Sequence, residues 1–405
     1  MRSFDILIVG GGMVGLTQAL AIDHLCCGSK PLTVAVVDSQ SGNQPLSDQP
    51  ELRVSAINMA SERLFGHIGV WKNIADVRLQ PYFGMQVWEQ DSFARIEFDH
   101  QQAGQTHLGH IIENQLIRQS LWDAAERSEN IELIAAASIS KLDVGERDAF
   151  VTLDNGELIT ARLVVGADGA NSWVRRQMNL PITHWDYEHK AIVATIKTEL
   201  PHLQQARQVF TPTGPLALLP LWQDNLCSIV WSQDNREANR LLAMTDTEFN
   251  QALSSTFDMQ AGLCELHSER ISYPLQMRYA RQWVKPRLAL IGDAAHTIHP
   301  LAGQGANLGL MDAAALAQNL AELHLNNKDI GLYKSLRSYE RWRKTEALKL
   351  VASMEGLKRL FNGANPLQKL LRGSGMALAN KLPMLKNTAI RQAMGLDGEL
   401  PELAK

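Results

Sequence analysis

Residues 6–15 read ILIVGGGMVG. An apolar run leads directly into a glycine turn, and Gly10, Gly12 and Gly15 satisfy the G-x-G-x-x-G spacing in the strand–turn–helix context that it requires. Gly10 permits the tight turn, Gly12 lets a pyrophosphate approach the backbone, and Gly15 lets the helix pack closely on the strand. The free N–H groups of that helix favour a bound phosphate. The stretch therefore predicts a Rossmann-like α/β domain that binds a dinucleotide.

A second apolar run, residues 32–37, ends at Asp38. In dinucleotide-binding folds an acidic residue about 20 positions beyond the glycines binds a ribose hydroxyl. The alternative is a plain carboxylate at the end of a strand. The position after the second run favours ribose binding.

Two later segments repeat this strand-into-turn pattern. Residues 163–172 read LVVGADGANS, so Asp168 lies at the carboxyl end of a predicted apolar strand. Open α/β sheets bind their ligands at this end of the strands. Residues 288–305 read LALIGDAAHTIHPLAGQG and place Gly292 and Asp293 after another apolar run. Nucleotide-contacting segments this far apart in the chain indicate one long cofactor held at both ends.

The composition excludes several classes of protein. A chain of 405 residues with 45% hydrophobic and 20% charged residues is typical of a soluble globular protein of two or three domains. The start lacks a signal-peptide layout, and no apolar stretch is long enough to span a bilayer. The four cysteines have no metal-binding spacing, so we predict reduced thiols, a cytoplasmic protein and no metal site.

Charge is distributed unevenly along the chain. Residues 331–405 contain 14 Lys and Arg against 6 Asp and Glu, whereas the whole chain has 39 against 43. A basic tail on an acidic body indicates an anionic partner, such as a membrane surface, although a solvated helical face has the same composition. The tail contains no recognised nucleic-acid-binding motif, so we expect no nucleic acid partner.

Hydrophobic periodicity predicts the other elements. We expect a helix over 60–74, sheet over 84–98, an amphipathic helix over 111–127, a helix over 309–323 and mostly helices over 331–395. Antiparallel strands are predicted at 191–197, 207–210, 216–219 and 226–231, in a second domain that interrupts the first. Apolar strands at 216–221 and 229–231 could form a dry lid over a site, or simply sheet core.

The glycine turn, Asp168-Gly169 and the Gly292–Gly305 segment, taken in this order, resemble the class A flavoprotein monooxygenases of the para-hydroxybenzoate hydroxylase type. A further stretch, LRVSAI (52–57), is similar to the ubiquinone-biosynthesis hydroxylases, and HLGHIIEN (107–114), WDY (185–187) and QAMGL (392–396) look like their polyprenylphenol branch. The resemblance covers essentially the whole chain. Asp38 departs from it, because the family more often has Glu there.

The resemblance implies an α/β fold with a discontinuous FAD-binding domain at 1–80, 101–180 and 281–345. It also implies a substrate-side antiparallel β-sheet domain at 81–100 and 181–280, and a C-terminal helical segment at 346–405. NAD(P)H would bind transiently, because the chain has only one dinucleotide motif.

The resemblance also implies the roles of individual residues. Gly10, Gly12 and Gly15 would hold the FAD pyrophosphate, Asp38 the adenosine ribose, and Gly292 and Asp293 the ribityl chain. Arg53 would lie near the cofactor, or else form a surface salt bridge. Asp168 would lie near the pyrophosphate, in a motif also linked to NAD(P)H, or else cap the next helix.

The last predicted part of the site wraps the isoalloxazine ring and consists of Pro300, Gly303, Gln304, Gly305 and Asn307. Gly303 and Gly305 remove Cβ atoms where a flat ring must approach the backbone. A helix starting near Ala306 would direct its positive end at the ring, where negative charge develops on reduction. Pro300 and Gln304 would shape the site, His296 and His299 would pack structurally, and no side chain is assigned as catalytic.

The implied activity is ring hydroxylation of a polyprenyl phenol in ubiquinone biosynthesis, with NAD(P)H, O₂ and a hydroperoxide at flavin carbon C4a. We expect peripheral contact with the inner face of the membrane and partner proteins of a biosynthetic assembly. Three alternatives remain: a same-fold hydroxylase of a soluble phenol, an FAD-dependent prenyl reductase, and a non-catalytic flavoprotein scaffold.

Overall fold

The computed structural model describes residues 2–28, 30–42, 45–90, 95–298, 304–361 and 383–405. The helices are α1 Met13–Leu25, α2 Met59–His67, α3 Trp71–Ala75, α4 Asn114–Glu126, α5 Trp173–Gln177, α6 Asn235–Ala243, α7 Asp246–Thr256, α8 Gln304–Leu325, α9 Tyr333–Phe361 and α10 Pro383–Ala393. Short 3₁₀ turns lie at His100–Ala103, Gly292–Ala294 and Glu402–Ala404.

The strands are β1 Arg2–Val9, β2 Val34–Val37, β3 Val54–Asn58, β4 Gln80–Tyr82, β5 Gly84–Glu89, β6 Arg95–Asp99, β7 Gly109–Glu113, β8 Ile131–Ile134, β9 Ile139–Val144, β10 Ala149–Leu153, β11 Leu158–Gly166, β12 Ile182–Thr198, β13 Gln205–Thr211, β14 Gly214–Pro220, β15 Leu226–Asp234, β16 Cys264–Leu266, β17 Ile271–Ala280, β18 Val284–Lys285, β19 Leu288–Leu290 and β20 His296–Thr297.

The first sheet has the order β18-β19-β11-β1-β2-β8, with β10 and β9 continuing from β11. Strands β19, β11, β1, β2 and β8 are parallel. Their apolar runs are buried on both faces, and helices α1 and α8 pack against each other beside them. This is the Rossmann-like α/β architecture that residues 6–15 predict, and the fold class is confirmed.

A second sheet has the order β20-β17-β12-β15-β14-β13-β5-β6, with β16 beside β12. Most neighbours are antiparallel, as predicted for residues 191–231, but β5 joins β13 in parallel. Helices α6 and α7 cover one face over a separate apolar core. A third, three-stranded sheet has the order β3-β7-β4. The division into domains by residue number remains a prediction.

Two predicted helices were partly wrong. Residues 109–113 form β7, so the helix expected over 111–127 begins only at Asn114. Ile111 and Ile112 are β-branched and pair with Ala56 and Ser55 of β3, and this pairing overrides the helical pattern. The helix expected over 60–74 is two helices, because the chain turns between them at Gly69, where φ is +75°.

The structure contains no candidate for a membrane-spanning segment in the ranges given above. Each described helix there is either too short or too polar to cross a bilayer.

Candidate functional site

Four parallel strands of the first sheet end at one edge. Val9 at the end of β1 lies beside Val37 of β2 and Gly166 of β11, and Gly166 lies beside Leu290 of β19. The segments that follow these strands carry Gly10, Asp38, Asp168 and Gly292. The fold therefore brings together four of the segments that the sequence analysis selected, at the edge where α/β sheets bind ligands.

The glycine turn has the geometry that a phosphate site requires. Gly10 has φ +110°, and a Cβ there would lie 2.5 Å from the Ala167 carbonyl oxygen. A Cβ on Gly15 would lie 1.9 Å from the Gly10 carbonyl oxygen, so helix and strand are in close contact. A Cβ on Gly12 would meet nothing within 4 Å, and no side chain caps α1 at this point. The helix N-terminus is thus open to an anion.

Asp38 braces this turn. Its carboxylate accepts hydrogen bonds from the Gly11 amide at 2.5 Å and from the Gln40 amide at 2.7 Å. Each carboxylate oxygen can accept more than one hydrogen bond, so these contacts leave capacity for a ribose hydroxyl. The position of Asp38 fits ribose binding, which remains a prediction.

Arg118 of α4 is a site residue that the sequence analysis missed. Its Nε donates to the Gly11 carbonyl at 3.0 Å, its Nη1 donates to Gly42 at 3.2 Å, and the guanidinium stacks 4.9 Å from the Trp122 ring centroid. Its Nη2 is buried and makes no hydrogen bond to the residues that the structure describes. No sequence signal marks this arginine, because only the packing of α4 against α1 brings it to the glycine turn.

The two carboxylate oxygens of Asp168 lie in different environments. Oδ2 accepts a hydrogen bond from the Val174 amide at 3.0 Å, which is the helix-capping alternative. Oδ1 is buried and has no hydrogen-bond partner in the described part of the chain. The capping interaction therefore exists, and it leaves one oxygen available to a ligand.

Arg175, also missed from sequence, connects the second and third nucleotide segments. This buried side chain donates from Nη2 to the Ala170 carbonyl and from Nη1 to the Ala294 carbonyl, both at 2.8 Å. Arg278 donates to Ala170 as well, at 3.0 Å. Arg175 therefore joins the loop after β11 to the Gly292–Ala294 turn, and Arg278 holds the same loop from β17.

Asp293 projects from that turn with an accessible side chain. Protein atoms surround it densely enough that desolvation raises the pKa of its carboxyl, against the opposing positive charges of His296 and Arg53. Arg53 is not in a surface salt bridge among the described residues; its guanidinium lies 5.5 Å from the Tyr273 ring centroid. A carboxylate in such a setting gains by accepting hydrogen bonds from a polyol such as the ribityl chain.

A buried ionic network supports the turn from behind. Asp312 of α8 accepts hydrogen bonds from the Gly292 amide at 3.2 Å, from His296 Nε2 at 2.5 Å and from Arg343 Nε at 2.8 Å. Burial opposes ionisation of Asp312, but the charges of His296 and Arg343 outweigh it and lower its pKa. His296 is almost fully buried in this network, in agreement with the structural role expected for it.

The start of α8 is only partly described. The helix begins at Gln304, two residues before the predicted start, and a Cβ on Gly305 would meet nothing within 4 Å. The Asn307 amide donates to the Ala56 carbonyl at 2.8 Å and accepts from the Asn58 amide at 3.0 Å, so its side chain fastens α8 to β3. The predictions for His299, Pro300, Gly303 and the Gln304 side chain lie outside the described residues.

Comparison with known proteins identifies a matching family and several relatives. A model of the FAD binding domain family matches residues 3–353. The chain is 34% identical to ubiquinone biosynthesis monooxygenase COQ6 of Danio rerio, over 95% of this chain and 88% of that protein. It is 33% identical to 3-demethoxyubiquinol 3-hydroxylase of Escherichia coli (97% and 98%) and 35% identical to ubiquinone hydroxylase UbiL of Rhodospirillum rubrum (99% and 92%).

Solved structures show the same fold at lower identity. The p-nitrophenol 4-monooxygenase PnpA of Pseudomonas putida superposes with a TM-score of 0.80 at 18% identity, covering 98% of this chain and 100% of that one. The Diels-Alderase PyrE3 superposes at 0.74 with 22% identity, covering 99% and 82%. Because these two proteins have different activities, the likeness supports the architecture and not a reaction.

Proposed function

The chain belongs to the family of FAD-dependent monooxygenases that includes the ubiquinone-biosynthesis hydroxylases, and we propose that it hydroxylates the aromatic ring of a polyprenyl phenol, using O₂ and NAD(P)H. The observation that carries the proposal is end-to-end similarity to several proteins named as ubiquinone hydroxylases. The open glycine turn, Asp38 and Asp293 at one sheet edge support FAD as the cofactor.

We assign the cofactor contacts as follows. The α1 N-terminus at Gly12 and Arg118 Nη2, which has no hydrogen-bond partner among the described residues, would hold the pyrophosphate; Asp38 would hold the adenosine ribose, and Asp293 the ribityl chain. The dipole of α8 would stabilise negative charge on the flavin ring. When bound, FAD supplies the redox chemistry that takes electrons from NAD(P)H and activates O₂.

An apolar cluster next to Arg53 supports an apolar substrate. It joins the three-stranded sheet to the second sheet and consists of Val54, Ala56, Tyr82, Ile111, Leu219, Leu221, Trp222 and Leu226. Arg78 closes it on one side, because its guanidinium lies 4.5 Å from the Trp222 ring centroid and pairs with buried Glu113. We propose that this cluster excludes water from the reacting ring.

The dry lid expected at 216–221 and 229–231 is divided between two layers. Leu216, Leu218, Ile229 and Trp231 pack beneath α6 and α7, which is ordinary sheet core. Leu219 and Leu221 lie in the apolar cluster. Only this second group can contribute to the substrate side.

The test is an oxygenation assay on the FAD-loaded protein. We expect ¹⁸O from ¹⁸O₂ to appear in the ring of a polyprenyl phenol held in detergent micelles, with stoichiometric NAD(P)H oxidation. The matched substrate is the same phenol without its chain, and it should yield mainly H₂O₂. Equal hydroxylation of both phenols would support the soluble-phenol alternative. Reduction of prenyl double bonds without O₂ uptake would support the reductase.

We further propose that the enzyme works at the inner face of the membrane. A polyprenyl phenol resides in the bilayer, and the basic residues of 331–405 can attract anionic lipid. Cations flanking apolar residues at 358–361 and 367–372 fit interfacial binding. Lys369 and Arg372 lie outside the described residues, as do the side chains of Lys358 and Arg359. This proposal therefore depends on sequence and substrate chemistry.

A further inference from the structure

A cluster of two imidazoles and one carboxylate lies away from the four strand ends of the cofactor site. Glu62 belongs to α2, His107 precedes β7, and His110 lies within β7. Glu62 Oε2 is 2.6 Å from His107 Nε2 and 3.3 Å from His110 Nδ1. The three ligand atoms all lie within 4.8 Å of one another. The side chains are 19%, 13% and 8% exposed, so the cluster is largely shielded from water.

His110 contributes an unsatisfied nitrogen to this cluster. Its Nδ1 is buried and makes no hydrogen bond to any residue that the structure describes. The ring orientation is fixed by edge contacts with Trp71 and His107, at centroid distances of 4.9 and 4.4 Å. The nearest carboxylate oxygen, Glu62 Oε2, is at ion-pair distance but makes no hydrogen bond to this nitrogen. A buried polar atom without a hydrogen bond is costly, and a bound ligand would relieve that cost.

His107 has the arrangement expected of a metal ligand. Its Nε2 points to Glu62, while its other ring nitrogen, Nδ1, lies 2.9 Å from the Thr106 hydroxyl. Metal-binding histidines nearly always donate their second ring N–H to a hydrogen-bond acceptor, which fixes the ring orientation, and the Thr106 hydroxyl can act as that acceptor.

We propose that Glu62, His107 and His110 bind one Zn²⁺ ion, with a water molecule completing the coordination. Two imidazoles and one carboxylate suit Zn²⁺, whereas Mg²⁺ and Ca²⁺ prefer oxygen ligands. Tetrahedral bonds of about 2.0–2.1 Å place neighbouring ligand atoms roughly 3.3 Å apart. Glu62 and His110 already have this separation, the Glu62–His107 contact must widen, and the two imidazole nitrogens lie within 4.8 Å of each other.

The ion would fasten α2 to β7. His110 pairs with Ile57 of β3, and α2 starts directly after Asn58, the last residue of β3, which Asn307 of α8 contacts. The ion would thus be structural and would lie near the contact between β3 and α8. This role goes beyond the proposed hydroxylation and does not depend on it. The cysteine spacing predicted no metal site, and no sequence pattern brings Glu62 to two histidines more than forty residues away.

The experiment measures Zn²⁺ binding by the chelator-treated, FAD-loaded protein. We expect one Zn²⁺ per chain and a Zn²⁺-dependent rise in Tm, because an ion that binds only the folded state stabilises it. X-ray absorption at the zinc edge should show nitrogen and oxygen neighbours at about 2.0–2.1 Å with imidazole scattering. These readouts do not require turnover, so they separate this proposal from the proposed function.

Three variants and one control test the ligands. Glu62→Gln and His107→Gln should weaken Zn²⁺ binding at least about a hundredfold, and Thr106→Val, which removes only the hydroxyl behind His107, about ten- to a hundredfold. The exposed His184→Gln is the matched control and should bind like the wild type. If the two ligand variants fail to fold, the Zn²⁺ affinity of Thr106→Val still tests whether His107 is a ligand. Wild-type affinity in the folded variants, sulfur neighbours at the zinc edge or no stoichiometric uptake would overturn the proposal.

Discussion

Arg118 places its Nη2, which has no hydrogen-bond partner among the described residues, beside the glycine turn, and it is held there by bonds to Gly11 and Gly42 and by stacking on Trp122. The side chain is therefore ordered before any ligand arrives, which reduces the entropic cost of binding. A partly buried cation in this position would complement a pyrophosphate more strongly than the helix dipole does alone.

We expect Arg118→Met to weaken FAD binding about ten- to a hundredfold. A hydrogen bond to a charged group contributes about 1.5–3 kcal/mol, and each 1.4 kcal/mol corresponds to roughly a tenfold change in affinity. The measurement is FAD titration of the apoprotein, followed by flavin fluorescence. Exposed Arg127, at the end of the same helix, provides the control Arg127→Met. Equal affinities of the two variants would show that Arg118 only braces the loop.

Asp293 offers a second prediction at this scale. Asp293→Ala should lower FAD affinity by about ten- to a hundredfold while the apoprotein remains folded, because an unpaired ribityl hydroxyl costs roughly 1–3 kcal/mol. Circular dichroism checks folding, and the exposed hairpin residue Asp154 supplies the control Asp154→Ala. An unchanged dissociation constant would count against the assignment.

Individual residues differ in how far sequence predicts them. Gly10 and Gly15 could be assigned because they lie in a recognised glycine spacing between a strand and a helix. Asp168 could be assigned to the site, but the sequence does not show that one of its carboxylate oxygens caps Val174 while the other has no partner among the described residues. Arg118 and Arg175 could not be identified, because Gly11 and Ala294, to which they bond, are more than a hundred residues away in sequence.

At the scale of elements, α8 depends on one buried carboxylate. Asp312 joins α8 to the Gly292 turn, to His296 and to Arg343 of α9. Asp312→Asn should lower the free energy of unfolding by about 3–5 kcal/mol, because Arg343 would lose its buried counter-charge. Urea denaturation measures this loss, and Glu322→Gln at the exposed end of α8 is the control.

Asp312 should also make the free energy of unfolding depend on pH in a defined direction. The pKa of Asp312 is lower in the folded protein than its ordinary value of 3.8, so the folded state favours the ionised form. The resulting stability is fully present above pH 3.8 and is lost as pH falls through the lowered pKa. Between pH 7 and pH 3, the difference in unfolding free energy between wild type and Asp312→Asn should stay constant down to about pH 4 and then shrink. A difference that grows on acidification would contradict the assignment.

Elements with a strong local sequence pattern could be predicted, whereas elements whose form depends on strand pairing could not. The apolar runs that became β1, β2, β11 and β19 are buried on both faces, so composition alone identified them. Strand β7 was taken into the predicted helix because the helical spacing of Ile117, Leu121 and Ala124 was extended back to Ile111. Its extended form follows from pairing with both β3 and β4, which no local pattern reveals.

At the scale of the whole molecule, the arrangement of the sheets goes beyond what sequence predicts. Strand β5 precedes β13 by more than a hundred residues yet pairs with it in parallel. The three-stranded sheet, which carries Arg53 into the region of Asp293, was not predicted at all. The second sheet and α8 therefore meet around a site whose residues come from all parts of the chain.

Uneven charge leads to a prediction for the whole molecule, since 14 of its 39 basic residues lie in the last 75 positions. Each Lys or Arg near an anionic surface contributes about 1 kcal/mol, so a few produce reversible docking. Docking should weaken with salt, because the Debye length falls from about 10 Å at ~0.1 M to about 3 Å at ~1 M. The measurement is flotation with anionic liposomes at both salt concentrations.

The charge reversal that tests docking changes four tail residues to Glu: Lys358, Arg359, Lys369 and Arg372. The matched control reverses four exposed basic residues of the body: Lys141, Arg147, Lys197 and Arg236. Both variants change the net charge equally, so only the location of the charge differs between them. Loss of flotation in the tail variant alone would locate the docking surface. Equal loss of flotation in both variants would indicate a general effect of net charge. Unchanged flotation in both variants, or no flotation of the wild type at low salt, would contradict membrane docking by the tail. The tail would then be a solvated face or a contact for partner proteins.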